Sequence, residues 1–88
     1  MNPEKLLDKL AAGSLRNVAF PDLCRLAEAL GFRLDRVRGS HHIYAHQVLP
    51  VRLNLQDRKG EAKPYQIRQL LALVEEYNLT VKQPKRKE

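Results

Sequence analysis

Apolar positions along the chain follow two rhythms, and the change between them divides the sequence. Leu6, Leu7 and Leu10 recur at helical spacing behind Pro3, which suits a first turn, and Glu4, which suits the positive end of a helix. Residues 3 to 12 are therefore predicted to be a short helix, ended by Gly13 and Ser14, and Leu15 to Ala19 read as a connector. Pro21 opens a second helix in which Phe20, Leu23, Cys24, Ala27 and Leu30 fall on one stripe, with Gly31 as its stop. Inside that stripe Cys24 reads as a small buried hydrophobe, and no basic neighbour is placed to activate its thiol.

From Phe32 the period becomes two. Phe32 and Leu34 alternate with Arg33 and Asp35, and a second alternating run extends from His41 to His46. Between them Gly39-Ser40 fits a two-residue type II′ turn, whose first central residue needs positive φ. That turn predicts a register pairing Arg38 with His41, Val37 with His42, Arg36 with Ile43, Asp35 with Tyr44, Leu34 with Ala45 and Arg33 with His46. Directly paired residues share a face, so Phe32, Leu34, Ile43 and Ala45 are expected toward the core. Arg33, Asp35, His42, Tyr44 and His46 are expected on the opposite, open face, and His41 on the core side.

A third run, Val51 to Leu55, alternates Val51, Leu53 and Leu55 with Arg52 and Asn54 after a turn at Gln47 to Pro50. Gln56 to Lys63 reads as a loop. Pro64 then opens a last helix with Ile67, Leu70, Leu71 and Val74 as its stripe, ending near Tyr77 and Asn78. Leu79 and Val81 can still dock, whereas residues 82 to 88 read as a mobile basic tail. The expectation is a small single α+β domain: an N-terminal helix and connector over residues 1–19, then a helix, a three-stranded antiparallel sheet and a helix over residues 20–81.

Composition narrows the picture by exclusion. At 88 residues, with 43% hydrophobic and 30% charged positions, five Pro and four Gly, the chain is neither collagen-like, wholly disordered nor a coiled coil. The longest apolar run, Leu70 to Val74, is far short of a membrane span, and no signal-like stretch opens the chain, so a cytoplasmic protein without membrane contact is expected. A single cysteine rules out an internal disulfide and a cysteine-based metal cluster. The net charge of +6 is unevenly spread: residues 32 to 63 carry seven basic and three acidic side chains, and residues 82 to 88 carry four and one. Charge concentrated in the middle of the chain fits a polyanionic partner, although a solubilising surface accounts for the net charge equally well.

All three histidines lie within six positions, at His41, His42 and His46. A shared metal is not expected, because His42 and His46 on one strand would have Cα atoms roughly 13 Å apart. His42 and Tyr44, roughly 6.6 Å apart on one face, could both touch one phosphate, with Arg33 and Arg52 beside them. A histidine can exchange a proton near neutral pH, and RNA carries its own nucleophile in the 2′-hydroxyl, so a general base with nearby cations could support cleavage without a cofactor. On geometry alone, a plain surface histidine beside an aromatic is the commoner arrangement. Arg33, Arg36, Arg38, Arg52, Arg58, Lys59 and Lys63 supply cations for RNA, with Tyr44 as an aromatic among them. Lys63-Pro64-Tyr65-Gln66 would set an exposed tyrosine and amide in a first helical turn able to hold an anion.

The order of elements and the sequence Arg38-Gly39-Ser40-His41-His42-Ile43-Tyr44-Ala45-His46 resemble the HicA family of bacterial and archaeal toxins, over about Phe20 to Leu79. The resemblance implies an α-β-β-β-α fold like that of double-stranded-RNA-binding domains. It also implies a ribonuclease acting on messenger RNA and a HicB antitoxin that silences it. In the family's Gly-Ser-x-His element the last residue is the catalytic histidine, which is His42 here, while His41 takes the variable position. Arg68 matches an arginine that opens the family's last helix. The family's Pro-x-His-like stretch after the third strand is absent, being Leu53-Asn54-Leu55-Gln56-Asp57 in this chain. The expected site is thus His42 as general acid or base. Arg33, Arg38, Ser40 and Tyr44 are expected to contact RNA, together with Arg52, Lys63 and Arg68; no metal or other cofactor is expected. An RNA-binding module without turnover, or a domain that only docks an antitoxin, is the alternative.

Overall fold

The computed structural model describes residues 2–81. Its elements are α1 (Pro3–Ala11), α2 (Phe20–Ala29), β1 (Phe32–Arg38), β2 (His41–His46), β3 (Arg52–Arg58), β4 (Glu61–Ala62) and α3 (Pro64–Tyr77). The strands form one antiparallel sheet in the order β1-β2-β3-β4. The chain is therefore an α+β domain with an α-β-β-β-α frame, preceded by α1 and extended by a short fourth strand. The expected basic tail, Lys82 to Glu88, lies outside the described residues.

Each helix begins as its sequence dictates. Asn2 caps α1, its Oδ1 accepting from the backbone N–H of Glu4 at 2.7 Å and of Lys5 at 3.3 Å. Pro21 and Pro64 stand in the first turns of α2 and α3. Leu6 and Leu10 of α1, Leu23, Leu26 and Ala27 of α2, and Ile67 and Leu70 of α3 are buried against Phe32, Tyr44, Leu53 and Leu55 of the sheet in one core. Leu79 and Val81 pack at its margin. The α1 helix ends just before a glycine, and α3 ends at Asn78 in the left-handed region, φ +55°.

The β1–β2 hairpin corrects the expected faces. Near the turn the register is the expected one, with Arg38 opposite His41, Val37 opposite His42 and Arg36 opposite Ile43. Gly39 takes φ +57° while Ser40 stays out of the left-handed region, as a type II′ turn requires. Asp35 is then bulged out of the ladder, so Leu34 faces Tyr44, Arg33 faces Ala45 and Phe32 faces His46. One extra residue inverts the parity of everything beyond it. The core side of the sheet therefore carries Phe32, Leu34, His42, Tyr44 and His46, and the open side carries Arg33, Arg36, His41, Ile43 and Ala45. Tyr44, expected on the open face, is only 2% exposed.

The segment Gln56 to Lys63, expected to be a loop, continues β3 to Arg58 and returns as β4, which makes four strands where three were expected. Lys59 and Gly60 both take positive φ, +52° and +86°, and the Asp57 carboxylate accepts from the Gly60 N–H at 2.7 Å. The hairpin is tied to the connector before α2. Ala19 bridges Glu61, the Ala62 N–H donates to the Val18 carbonyl at 2.9 Å, and the Phe20 N–H donates to the Gly60 carbonyl at 2.8 Å.

Candidate functional site

His42 sits in β2 between Val37 of β1 and Leu55 of β3, with its side chain on the helix-covered face. Its ring meets Phe20 edge-on, centroids 4.8 Å apart at 64°, and remains partly exposed. Nδ1 is 3.4 Å from the Ser40 carbonyl oxygen. When Nδ1 carries the proton and donates to that carbonyl, Nε2 is the basic nitrogen, so the contact selects one working nitrogen. The expectation that His42 occupies the open face is thus corrected: it belongs to the margin of the helical side, where Phe20 seats it.

Ser40 is pinned from β3. Its carbonyl accepts from the Asp57 N–H at 2.9 Å, and its hydroxyl accepts from Gln56 Nε2 at 3.2 Å. The Gln56 N–H donates in turn to Gln66 Oε1 at 2.6 Å, and Gln66 Nε2 reaches the Tyr65 hydroxyl at 3.4 Å. Lys63 Nζ lies 5.8 Å above the Tyr65 ring. A continuous chain of polar contacts therefore joins the hairpin turn beside His42 to the first turn of α3. Tyr65 is exposed as expected, but Gln66 is 3% exposed, because its amide is spent on the β3 backbone rather than offered to a ligand.

The remaining expected residues divide between two places. Arg33 and Arg52 stand on the open face and are exposed, as expected; His41, expected on the core side, is corrected to the open face, half-buried, together with its exposed pairing partner Arg38. There the Asp35 carboxylate accepts from Arg52 at 3.0 Å and lies 3.9 Å from Arg36 Nε, while Arg33 donates to Gln47 Oε1 at 3.0 Å. His41 Nδ1 is 3.1 Å from Asn54 Oδ1. Lys63 and Arg68 lie on the α3 side; Arg68 is exposed. The expected grouping of His42 and Tyr44 with Arg33 and Arg52 around one phosphate is not formed, because the sheet separates them.

Tyr44 and His46 turn out to be framework residues. The Tyr44 hydroxyl donates to the Cys24 sulfur, and burial together with that bond holds the phenol well above its ordinary titration range. Burial likewise raises the Cys24 thiol, which packs half-buried at the margin of the core rather than fully inside it as expected. His46 is packed edge-on to Phe32 at 4.9 Å; its Nδ1 accepts from the Val48 and Leu49 N–H groups, both at 3.1 Å, and its Nε2 donates to the Leu30 carbonyl at 3.1 Å. Among the described residues no three His, Cys, Asp or Glu side chains come together as a metal site. No described helix is long and apolar enough to cross a membrane.

Phe20 and Gln56 were not legible as parts of this site, since each becomes one only through contacts between elements remote in sequence, and Gln66, expected to offer its amide to an anion, joins it through the β3 backbone instead. The helix-sheet-helix order and the seated histidine next to a Gly-Ser turn define a small α+β domain with one histidine held at its margin. A family model described as HicA toxin of bacterial toxin-antitoxin matches residues 20–75, and the chain belongs to that family. Neither a comparison with curated proteins nor one with solved structures gave a match.

Proposed function

We propose that the protein is a HicA-type ribonuclease that cleaves messenger RNA through its own 2′-hydroxyl, with His42 as the general acid and base and no metal required. What supports the reading is the seat of His42. One ring nitrogen faces a carbonyl that β3 holds in place, which leaves the other to exchange a proton at the protein margin. Nε2 takes the proton of the 2′-hydroxyl, the 2′ oxygen attacks the adjacent phosphorus, and the bond from phosphorus to the 5′ oxygen breaks. The 5′ oxygen takes a proton from the imidazolium, so the products are a 2′,3′-cyclic phosphate and a 5′-hydroxyl. Lys63 and Arg68 on the same side supply charge for the phosphate, and Ser40 a hydroxyl. The partner is a HicB-type antitoxin. Val37, half exposed on edge strand β1 and paired with His42, gives such a partner apolar surface beside the histidine.

The test is cleavage of a long single-stranded RNA at neutral pH in excess chelator, with the protein compared with His42→Ala of equal circular dichroism. A single general acid–base group contributes about 10² to 10⁴ in rate, so the variant is expected to fall by that factor. Equal cleavage by both, or cleavage that stops in chelator, overturns the mechanism. RNA binding with no cleavage by either favours the module without turnover.

A further inference from the structure

A groove of about 430 Å³ opens between the connector before α2 and the β3–β4 turn, and its walls come from both sides of the family boundary. The family match begins at residue 20, yet Arg16 and Asn17 line the groove opposite Arg58, Lys59 and Lys63. The preceding segment is not a loose leader. Leu6, Leu10 and Val18 are buried in the common core, and the Ala19–Glu61 bridge and the Val18–Ala62 hydrogen bond fix the connector to the hairpin. Arg16 is thereby held against a turn more than forty residues away in sequence.

The charges in this groove are not neutralised. Four cations line it against the single carboxylate of Glu61, and among the described residues none of the four forms an ion pair. The open face of the sheet differs, since Arg36 and Arg52 there share Asp35. Lys59 also adopts φ +52°, a left-handed conformation that a side chain with a Cβ resists, so the turn keeps a lysine where glycine would be easier. Beside the groove stands the half-exposed Tyr65 ring, under Lys63. Protein interfaces are depleted in lysine and built on an apolar centre, whereas cations without partners beside an exposed aromatic match a track for a nucleic-acid backbone.

We propose that the connector ahead of α2 and the β3–β4 turn together form a phosphate-binding groove for single-stranded RNA that leads the strand toward His42. Phe20 connects the two places: its N–H is bonded to Gly60 in the groove turn and its ring seats His42. The inference rests on the ribonuclease reading for its direction but not for the binding itself.

The test is the affinity of the full chain for a short single-stranded 2′-O-methyl RNA, which cannot be cleaved through its 2′ oxygen, measured by fluorescence anisotropy over a salt series. Arg16→Gln, Lys59→Gly and the double variant are compared with Lys5→Gln on the exposed side of α1, all with unchanged melting curves. Each lost phosphate contact lowers the slope of log affinity against log salt by about 0.7 for a single strand, which amounts to about fourfold in Kd near 0.15 M salt. The expected result is that loss at Arg16 and at Lys59, summed in the double variant and absent in Lys5→Gln. Wild-type affinity and slope in the double variant overturn the groove. So does unchanged RNA binding with lost binding of polyglutamate, which would assign the groove to an acidic protein. Groove-dependent RNA binding by a protein that never cleaves supports this inference and overturns only the catalytic reading.

Discussion

His46 shows how one residue type carries unrelated duties within six positions. Both its ring nitrogens are engaged by backbone, Nε2 toward Leu30 and Nδ1 toward Val48 and Leu49, so it fastens the end of α2 to the β2–β3 turn. Gly31 lies so close that a Cβ there would stand 2.6 Å from Nε2, and its φ of +104° would strain any residue with a side chain in any case. Removing the imidazole strands backbone groups that are partly shielded from water, so His46→Ala is expected to cost about 2 kcal/mol, or about 10 °C in Tm by calorimetry. His42 makes one long polar contact among the described residues, so His42→Ala should leave Tm nearly unchanged. At Tyr44 the folded state favours the neutral phenol through burial and the bond to Cys24. Its contribution is complete below the ordinary value near 10 and is lost as pH rises toward the higher folded value. The urea midpoint of the protein should therefore fall more steeply above pH 10 than that of Tyr44→Phe.

At the level of elements, legibility followed the range of the interactions. The three helices were readable because caps, prolines and apolar stripes are local, and the Gly39-Ser40 turn was readable because positive φ selects glycine. The parity of β2 was not, since it depends on where Asp35 leaves the ladder, and the sequence around Asp35 contains no glycine or proline to mark a bulge. The side-chain period of two made that single residue decisive. It sent Tyr44 inside, and it placed His42 against Phe20 instead of among Arg33 and Arg52. The β3–β4 hairpin was equally hidden, because Lys59 disguises a turn that otherwise follows the usual pattern of two positive φ values. Of the candidate site, His42 and Ser40 came from the Gly-Ser-His-His element, whereas Phe20 and Gln56, and the role of Gln66, are contributed by tertiary contact alone. Deleting Asp35 removes the unpaired residue while Leu34 still meets Tyr44 and Arg36 still meets Ile43, so the ladder becomes regular at the expense of the Arg52 and Arg36 contacts alone. The expected outcome is a native-like proton–nitrogen NMR spectrum with shifts confined to β1 and its neighbours, and loss of dispersed amide peaks would show that the fold needs the bulge.

On the scale of the molecule, α1 and its connector are part of the single core even though the family match starts after them. Leu10, 1% exposed, packs where α1 meets the rest of the domain. Leu10→Ala is expected to cost about 2–5 kcal/mol, read as a urea midpoint, with the whole domain unfolding in one transition rather than α1 alone. A chain of this size has a small margin of stability, so the extension contributes to whether the histidine has a fixed seat at all.

The bulge at Asp35 has one more consequence, for how copies of the protein behave in a crowd. β1 is an outer strand, and a flat outer strand invites another chain to continue the sheet into a filament. Here the kink interrupts the run of free backbone groups, and Arg33, Arg36 and Arg38 along the same strand repel an identical edge. The fold thus leaves apolar Leu34 and Val37 exposed on this strand while discouraging fibril growth from its own edge.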